Sequence, residues 1–154
     1  MTSILEDVQK ILKIKNVVLR NSFVNIDNDI EPENLSKIDS TGQSFRGVSK
    51  VRETSFEDDE HEWWEYGFHY DVGVRLIRAE DEKNDKASPL VEIKAIFSAV
   101  YISEIQLTEN QIEAFSENNV GYHVWPYWRE LMQSSCMRLA IVPIEAPLYF
   151  CPST

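Results

Sequence analysis

The most regular pattern of apolar and polar positions along the chain lies between residues 64 and 76. Seven apolar side chains alternate there with polar residues and glycines: Trp64, Tyr66, Phe68, Tyr70, Val72, Val74 and Leu76. Period-two alternation predicts a β-strand with one buried face. A second run, from 90 to 102, places Val91, Ile93, Ala95, Phe97, Ala99 and Tyr101 on one face. The two segments are predicted to pair as an antiparallel hairpin with a long loop.

Two weaker patterns add further strands. Residues 14–26 are rich in β-branched and aromatic side chains, which favours a first strand. Residues 45–56 are predicted to hold another strand. The intervening segment 27–42 contains Pro32, Gly42 and many Asn, Asp and Ser, so it is interpreted as a loop. The acidic run 57–62 is interpreted as a solvated connection.

Helical spacing marks both ends of the chain. Residues 2–13 carry Ile4, Leu5, Val8, Ile11 and Leu12 at the intervals of an amphipathic helix. Thr108 and Gln111 form a capping box, which predicts a short helix ending near 118–121. A second helix is predicted to begin around Trp125-Pro126, with one apolar stripe: Trp125, Trp128, Leu131, Met132, Ser135 and Leu139.

The order of these elements predicts one domain spanning 1–154. It consists of an N-terminal helix (1–13), a strand region (14–106), and helices followed by an apolar, proline-containing segment (107–154). Strands followed by helices indicate an α+β fold, in which helices pack on one face of a four-stranded antiparallel sheet.

Charge and composition narrow the possible partners and compartment. The chain has 154 residues and a net charge of −11, a field that disfavours nucleic acid and anionic lipid. No apolar run is long enough for a membrane span, and the first fifteen residues do not resemble a secretory signal, so a cytoplasmic protein is expected. Cys136 and Cys151 are expected to be reduced thiols.

No constellation of residues indicates catalysis. His61 and Glu62 begin an incomplete version of the zinc-protease motif, because the second histidine is missing. Five glycines occur and none clusters, so neither a phosphate loop nor a dinucleotide fingerprint is present. We therefore expect no catalytic residues, no metal site and no cofactor.

The aromatic content near the C-terminal end indicates binding instead. Tyr122, Trp125, Tyr127, Trp128, Tyr149 and Phe150 lie within thirty residues. Core packing explains any single one of them. A helix cannot turn positions 125, 127 and 128 to the same side, however, because adjacent residues lie about 100° apart. Some of this aromatic surface is expected to line a groove or an oligomer interface.

The segment Trp125-Pro126-Tyr127-Trp128-Arg129-Glu130 resembles the motif of the SecB family of export chaperones, an aromatic or aliphatic residue followed by P-Y-x-R-E. The apolar segment 139–144 and Pro147-Leu148-Tyr149 are also similar to the end of that family. The resemblance implies an ATP-independent chaperone, a homotetramer built as a dimer of dimers, that holds unfolded polypeptide in apolar grooves. It places the polypeptide-binding residues at Trp125, Tyr127, Trp128, Ile141, Pro143, Leu148 and Tyr149.

The chain also departs from the export members of that family. Arg20 and Val24 stand around Ser22-Phe23, where export members carry acids that help dock the SecA motor, so SecA contact is doubtful. The N-terminal helix and the region 27–62 are closer to SecB-like chaperones that accompany toxin–antitoxin systems, with one antitoxin as client, or that act alone. Three functions stay open: a chaperone for precursors or an antitoxin, a small enzyme or ligand-binding protein with a C-terminal aromatic pocket, and a module for one folded partner.

Overall fold

The computed structural model describes residues 3–144. Helix α1 (Ile4–Ile11) precedes four strands, β1 (Lys13–Ile26), β2 (Ser40–Glu57), β3 (Glu62–Arg78) and β4 (Val91–Ser103). Helices α2 (Glu109–Asn118) and α3 (Val120–Arg138) follow. Two 3-10 helices, Pro32–Lys37 and Ala79–Asp81, lie in the connections, and the first of them falls in the segment predicted to be a loop.

The four strands form one antiparallel sheet in the order β1-β4-β3-β2. The long hairpin predicted from the alternating patterns occupies the centre, with Phe68 opposite Ala99 and Tyr70 opposite Phe97. β2 runs from residue 40 to 57, several residues longer than its pattern predicted, and pairs with β3 along its whole length. The predicted α+β architecture is confirmed.

The core lies between one face of the sheet and the helices. Tyr66, Phe68, Tyr70 and Val72 of β3 and the odd-numbered residues 91–101 of β4 are buried there. All three α-helices contribute to the same cluster, through Val8 of α1, Phe115 of α2 and the buried side of α3. The opposite face of the sheet is the open face, and most of its side chains are half-buried or exposed.

The two edge strands are irregular. The register of β1 against β4 shifts at Lys15 and again at Arg20, and β2 shifts against β3 at Ser49. Each shift inserts one extra residue, a β-bulge, which reverses the side to which the following residues point. Leu19 and Val24 consequently share the helix-covered face, although one number is odd and the other even.

The capping box at the start of α2 is confirmed. The amide of Gln111 donates to Thr108 Oγ1 at 3.2 Å, and the Thr108 amide donates to Gln111 Oε1 at 2.9 Å. The predicted start of the next helix was wrong, because α3 begins at Val120 and encloses Pro126. Pro126 has no amide hydrogen, so the carbonyl of Tyr122 lacks its usual helical donor. Both residues are exposed, and water can supply the missing hydrogen bond.

The C-terminal end of α3 is closed by a Schellman motif centred on Ala140. The Ile141 amide donates to the Cys136 carbonyl and the Ala140 amide to the Met137 carbonyl, both at 3.1 Å. Ala140 has φ of 58°, the left-handed conformation usually given to glycine at this position. Burial of Ile141 against the core turns the chain back towards the sheet.

Candidate functional site

The edge strand β1 exposes apolar side chains on both faces. Ile14, Val18, Leu19, Phe23 and Val24 are each 40–50% exposed. Cross-strand partners share a face, so Leu19 and Val24, opposite buried Phe97 and Ile93, lie on the helix-covered side. Val18 and Phe23, opposite Ser98 and Lys94, lie on the open face. Among residues 3–144, β1 has a strand neighbour on one side only, so its outer edge can accept another strand.

Helix α3 separates its aromatic residues between the core and the surface. Trp125 and Trp128 are 8% and 2% exposed, whereas Tyr127 is 51% exposed and Met137 is 76% exposed. The guanidinium of Arg46, from β2, lies 5.5 Å from the centre of the Trp125 ring and covers it. The two indoles therefore support the surface from beneath, and Tyr127 belongs to the surface itself.

The remaining predicted binding residues lie beyond α3. Ile141 is buried at 8% exposure and anchors the turn, while Pro143 is exposed beside Val142. Leu148 and Tyr149 lie outside the described residues. Of the predicted set, the structure thus brings Tyr127 and Pro143 to the surface, and it places Trp125, Trp128 and Ile141 inside the protomer.

Two buried tyrosines connect the sheet to the helical layer. The hydroxyl of Tyr66 accepts a hydrogen bond from the Leu107 amide at 2.8 Å, immediately before α2. Burial is the main cause that raises the pKa of Tyr66 to about 12. Tyr101 Oη lies 2.7 Å from His123 Nδ1, and burial lowers the pKa of His123 and raises that of Tyr101. Both pairs are explained as structural contacts.

No metal-binding cluster of three or more His, Cys, Asp or Glu residues occurs within residues 3–144. The acidic turn between β2 and β3 is organised by hydrogen bonds instead. Asp58 accepts from the amides of Glu60 and His61 and from the indole of Trp63, each at 2.9 Å. The His61 and Glu60 amides, with Trp63, hold the pKa of Asp58 at about 2. This carboxylate stabilises a turn and is not poised for proton transfer.

The sequence interpretation missed the exposure of β1. Its signal was present in the sequence, because Val17-Val18-Leu19 and Phe23-Val24 place apolar residues at adjacent positions. A strand covered on one face needs apolar residues only at alternate positions. Consecutive apolar residues in a strand therefore indicate that both faces meet a partner.

Comparison with known proteins gives a structural match. No model of a known protein family matches the chain, and no curated protein matches it in sequence. A solved structure that is similar is a SecB-like chaperone of Mycobacterium tuberculosis in complex with a ChAD peptide from the HigA1 antitoxin. The match has a TM-score of 0.62 at 14% identity and covers 97% of this chain and 99% of that one.

The helices within residues 3–144 include none that is long and apolar enough to cross a membrane. The strand order, the single helical layer and the match over nearly the whole chain agree with the resemblance found at Trp125–Glu130. This chain has the fold of the SecB-like chaperones.

Proposed function

We propose that the protein is an ATP-independent cytoplasmic chaperone that self-assembles and holds unfolded polypeptide segments. The observation that carries this proposal is the apolar surface that residues 3–144 leave exposed on β1 and on the outer side of α3. Exposed apolar surface of this kind is typical of sites that bind other proteins. The SecB-like fold supports the same function.

The edge strand β1 is the proposed self-association surface. It is 14 residues long, has no strand on its outer side in the described part of the chain, and exposes apolar side chains on both faces. Such an edge promotes uncontrolled strand pairing unless a partner covers it. Pairing with β1 of a second copy covers the edge and buries Leu19 and Val24 beside the helices. We extend this dimer to the tetramer, a dimer of dimers, that the SecB resemblance implies.

The outer side of α3 is the proposed client surface, together with the chain that leaves the helix. Tyr127, Met137 and Pro143 contribute exposed apolar area, and Trp125 and Trp128 hold α3 on the sheet beneath it. From Tyr127 to Met137 the helix extends roughly 15 Å, the length of about five residues of extended chain. Methionine and tyrosine adapt to many apolar side chains, so this surface suits clients of varied sequence.

The client is proposed to be an unfolded segment, either of a precursor protein or of one antitoxin. The similar chaperone of M. tuberculosis was solved with a peptide of an antitoxin, which supports a short linear segment as one kind of client. Direct contact with SecA is not favoured, because Arg20 lies in β1 where export members carry acids.

The proposal is tested by diluting a denatured client into buffer containing the protein and following aggregation by light scattering, with and without nucleotide. We expect aggregation to be suppressed equally in both buffers, and we expect the chaperone to sediment as a tetramer. A chain that remains monomeric while the client precipitates at its unassisted rate contradicts the proposal.

A pair of variants separates the client surface from general hydrophobicity. Y127S/M137S removes two exposed apolar side chains from α3 and is expected to weaken suppression. The control F56S/I105S also removes two exposed apolar side chains, 44% and 49% exposed, at sites away from α3. If both variants lose the same amount of aggregation suppression, the outer side of α3 is not the client-binding surface.

A further inference from the structure

The open face of the sheet is basic, although the chain as a whole carries a net charge of −11. Strand register and side-chain contacts place seven cations on this face and three carboxylates, a formal excess of four positive charges. The cations are Lys13, Lys15, Arg20, Lys50, Arg52, Arg75 and Lys94, and the acids are Glu65, Asp71 and Glu92. Nearly half of the fifteen basic residues of the chain therefore share one surface.

Three of these cations surround His69 near the middle of the face. Lys50 is the cross-strand neighbour of His69, Arg52 lies two residues further along β2, and Arg20 occupies the bulge of β1. Burial first, and then the charges of Arg20, Arg52 and Lys50, lower the pKa of His69, against an opposing effect of Asp71. Burial and the neighbouring cations thus both favour the neutral form of the His69 imidazole.

The same three cations have no acidic partner among the described residues. In the part of the chain that the structure describes, no carboxylate lies within 4.0 Å of the charged groups of Arg20, Lys50 or Arg52. The two ion pairs of this face use other residues, Lys15 with Glu65 and Lys94 with Glu92. The positive charge around His69 is consequently available to an anionic partner.

The open face has little side-chain bulk at two central positions, Gly67 and Ser98. Gly67 lies opposite Arg52 of β2, and Ser98 lies opposite His69 of β3. At one end, a cavity of about 440 Å³ opens between the rings of Phe23 and Phe45. Its remaining lining consists of Asn21, Ser22, Asp71, Lys94, Ala95 and Ile96. The Phe45 ring lies where a side chain at residue 73 would stand, since a Cβ there would be 2.4 Å from it.

We propose that this open face binds an acidic polypeptide segment of a partner protein, with carboxylates at Arg20, Lys50 and Arg52 and an apolar side chain between Phe23 and Phe45. Charge complementarity selects the partner. A second copy stacked by the same face would bring two positive surfaces together, and the acidic remainder of the chain repels the long phosphate backbone of a nucleic acid. This site lies opposite α3 and does not depend on the proposed chaperone activity.

The test is the binding of a fluorescein-labelled peptide of alternating Glu and Ser with one central Phe, measured by fluorescence anisotropy. We expect binding that weakens with added salt, and little binding of the same peptide with Gln for every Glu. R20Q/R52Q is expected to weaken binding roughly fivefold to tenfold. The matched control K83Q/K86Q makes the same change in net charge on the exposed loop before β4 and should bind like wild type.

Other results overturn the proposal. If the Glu and Gln peptides bind equally, charge does not drive binding. The same conclusion follows if R20Q/R52Q and K83Q/K86Q lose the same amount of affinity for the Glu peptide. Tighter binding of an oligouridine RNA of the same length, itself weakened by R20Q/R52Q, assigns the face to nucleic acid. Lys50 is also labelled chemically in the protein without peptide. If Lys50 is protected at high protein concentration and becomes reactive on dilution to protomers, the open face binds a second copy of this chain. K50Q/R52Q is measured alongside, so that poor folding of one variant does not leave the question open.

Discussion

Replacement of Tyr66 by Phe tests the contact between the sheet and the helical layer. Tyr66 is fully buried, and its hydroxyl is the partner of the Leu107 amide at 2.8 Å. Phenylalanine preserves the packing of the ring and removes the hydroxyl, which accepts from the Leu107 amide and also hydrogen-bonds to the side chain of Glu53. The Leu107 amide is then buried without a partner, which costs about 1–3 kcal/mol. For a chain of this length, each kcal/mol lowers Tm by roughly 2–4 °C.

The loss is measured by urea denaturation of Y66F, with hydrogen exchange of the Leu107 amide as a local readout. Y101F is the matched comparison, because Tyr101 is equally buried and its hydroxyl meets His123, which is half-buried and can turn to water. We therefore expect Y66F to lose more stability than Y101F. A Y66F protein as stable as wild type, with unchanged exchange at Leu107, refutes the assignment of this hydrogen bond.

Three further predictions concern the turn after α3, acid stability and assembly. A140G should raise the free energy of unfolding by roughly 1 kcal/mol, because glycine adopts the left-handed conformation without strain; an unchanged urea midpoint would contradict this. Burial lowers the pKa of His123, so below its ordinary value of 6.5 the unfolded chain takes up a proton that the folded chain refuses. Stability should fall as pH decreases through 6.5, and H123Q should reduce that loss in urea titrations. V24K should shift the mass measured by light scattering towards the 17.9 kDa protomer, whereas T54K on the other edge strand should not.

The sequence predicted the central strands and the capped helix because each is specified locally. Alternate burial of β3 and β4 requires apolar residues at every second position, and no other structure gives that period. The capping box needs only two residues, Thr108 and Gln111, in one turn. Both features therefore appear directly in the order of residues.

The start of α3 could not be predicted in the same way. Asn119 and Gly121 are typical of a helix end, and Pro126 is typical of a first turn, so local preference favoured a break. The structure instead buries Gly121 and Val124 against the sheet. Tertiary packing overrides the local signals, because the helix gains buried surface over about one and a half additional turns.

The candidate site was only partly predictable for a related reason. The motif around Pro126 identified α3 as important, but a motif does not state which side of a helix faces the core. Geometry decides that Trp125 and Trp128 are covered and Tyr127 is not. The basic open face was harder to predict. The bulges at Lys15 and Arg20 change the alternation of β1, and pairing with strands that are distant in sequence determines where the cations of this face lie.

The two proposed binding surfaces lie on opposite sides of the sheet, and this arrangement makes them separable. R20Q/R52Q changes the open face and leaves α3 untouched, so it should weaken binding of the acidic peptide and still suppress client aggregation. Y127S/M137S should do the reverse. If the cations bind acidic segments and α3 binds apolar ones, as proposed, a partner can occupy the open face while a client occupies α3. If either double variant impairs both activities while keeping its thermal stability, the two surfaces act as one site, and their assignment to different ligands is wrong.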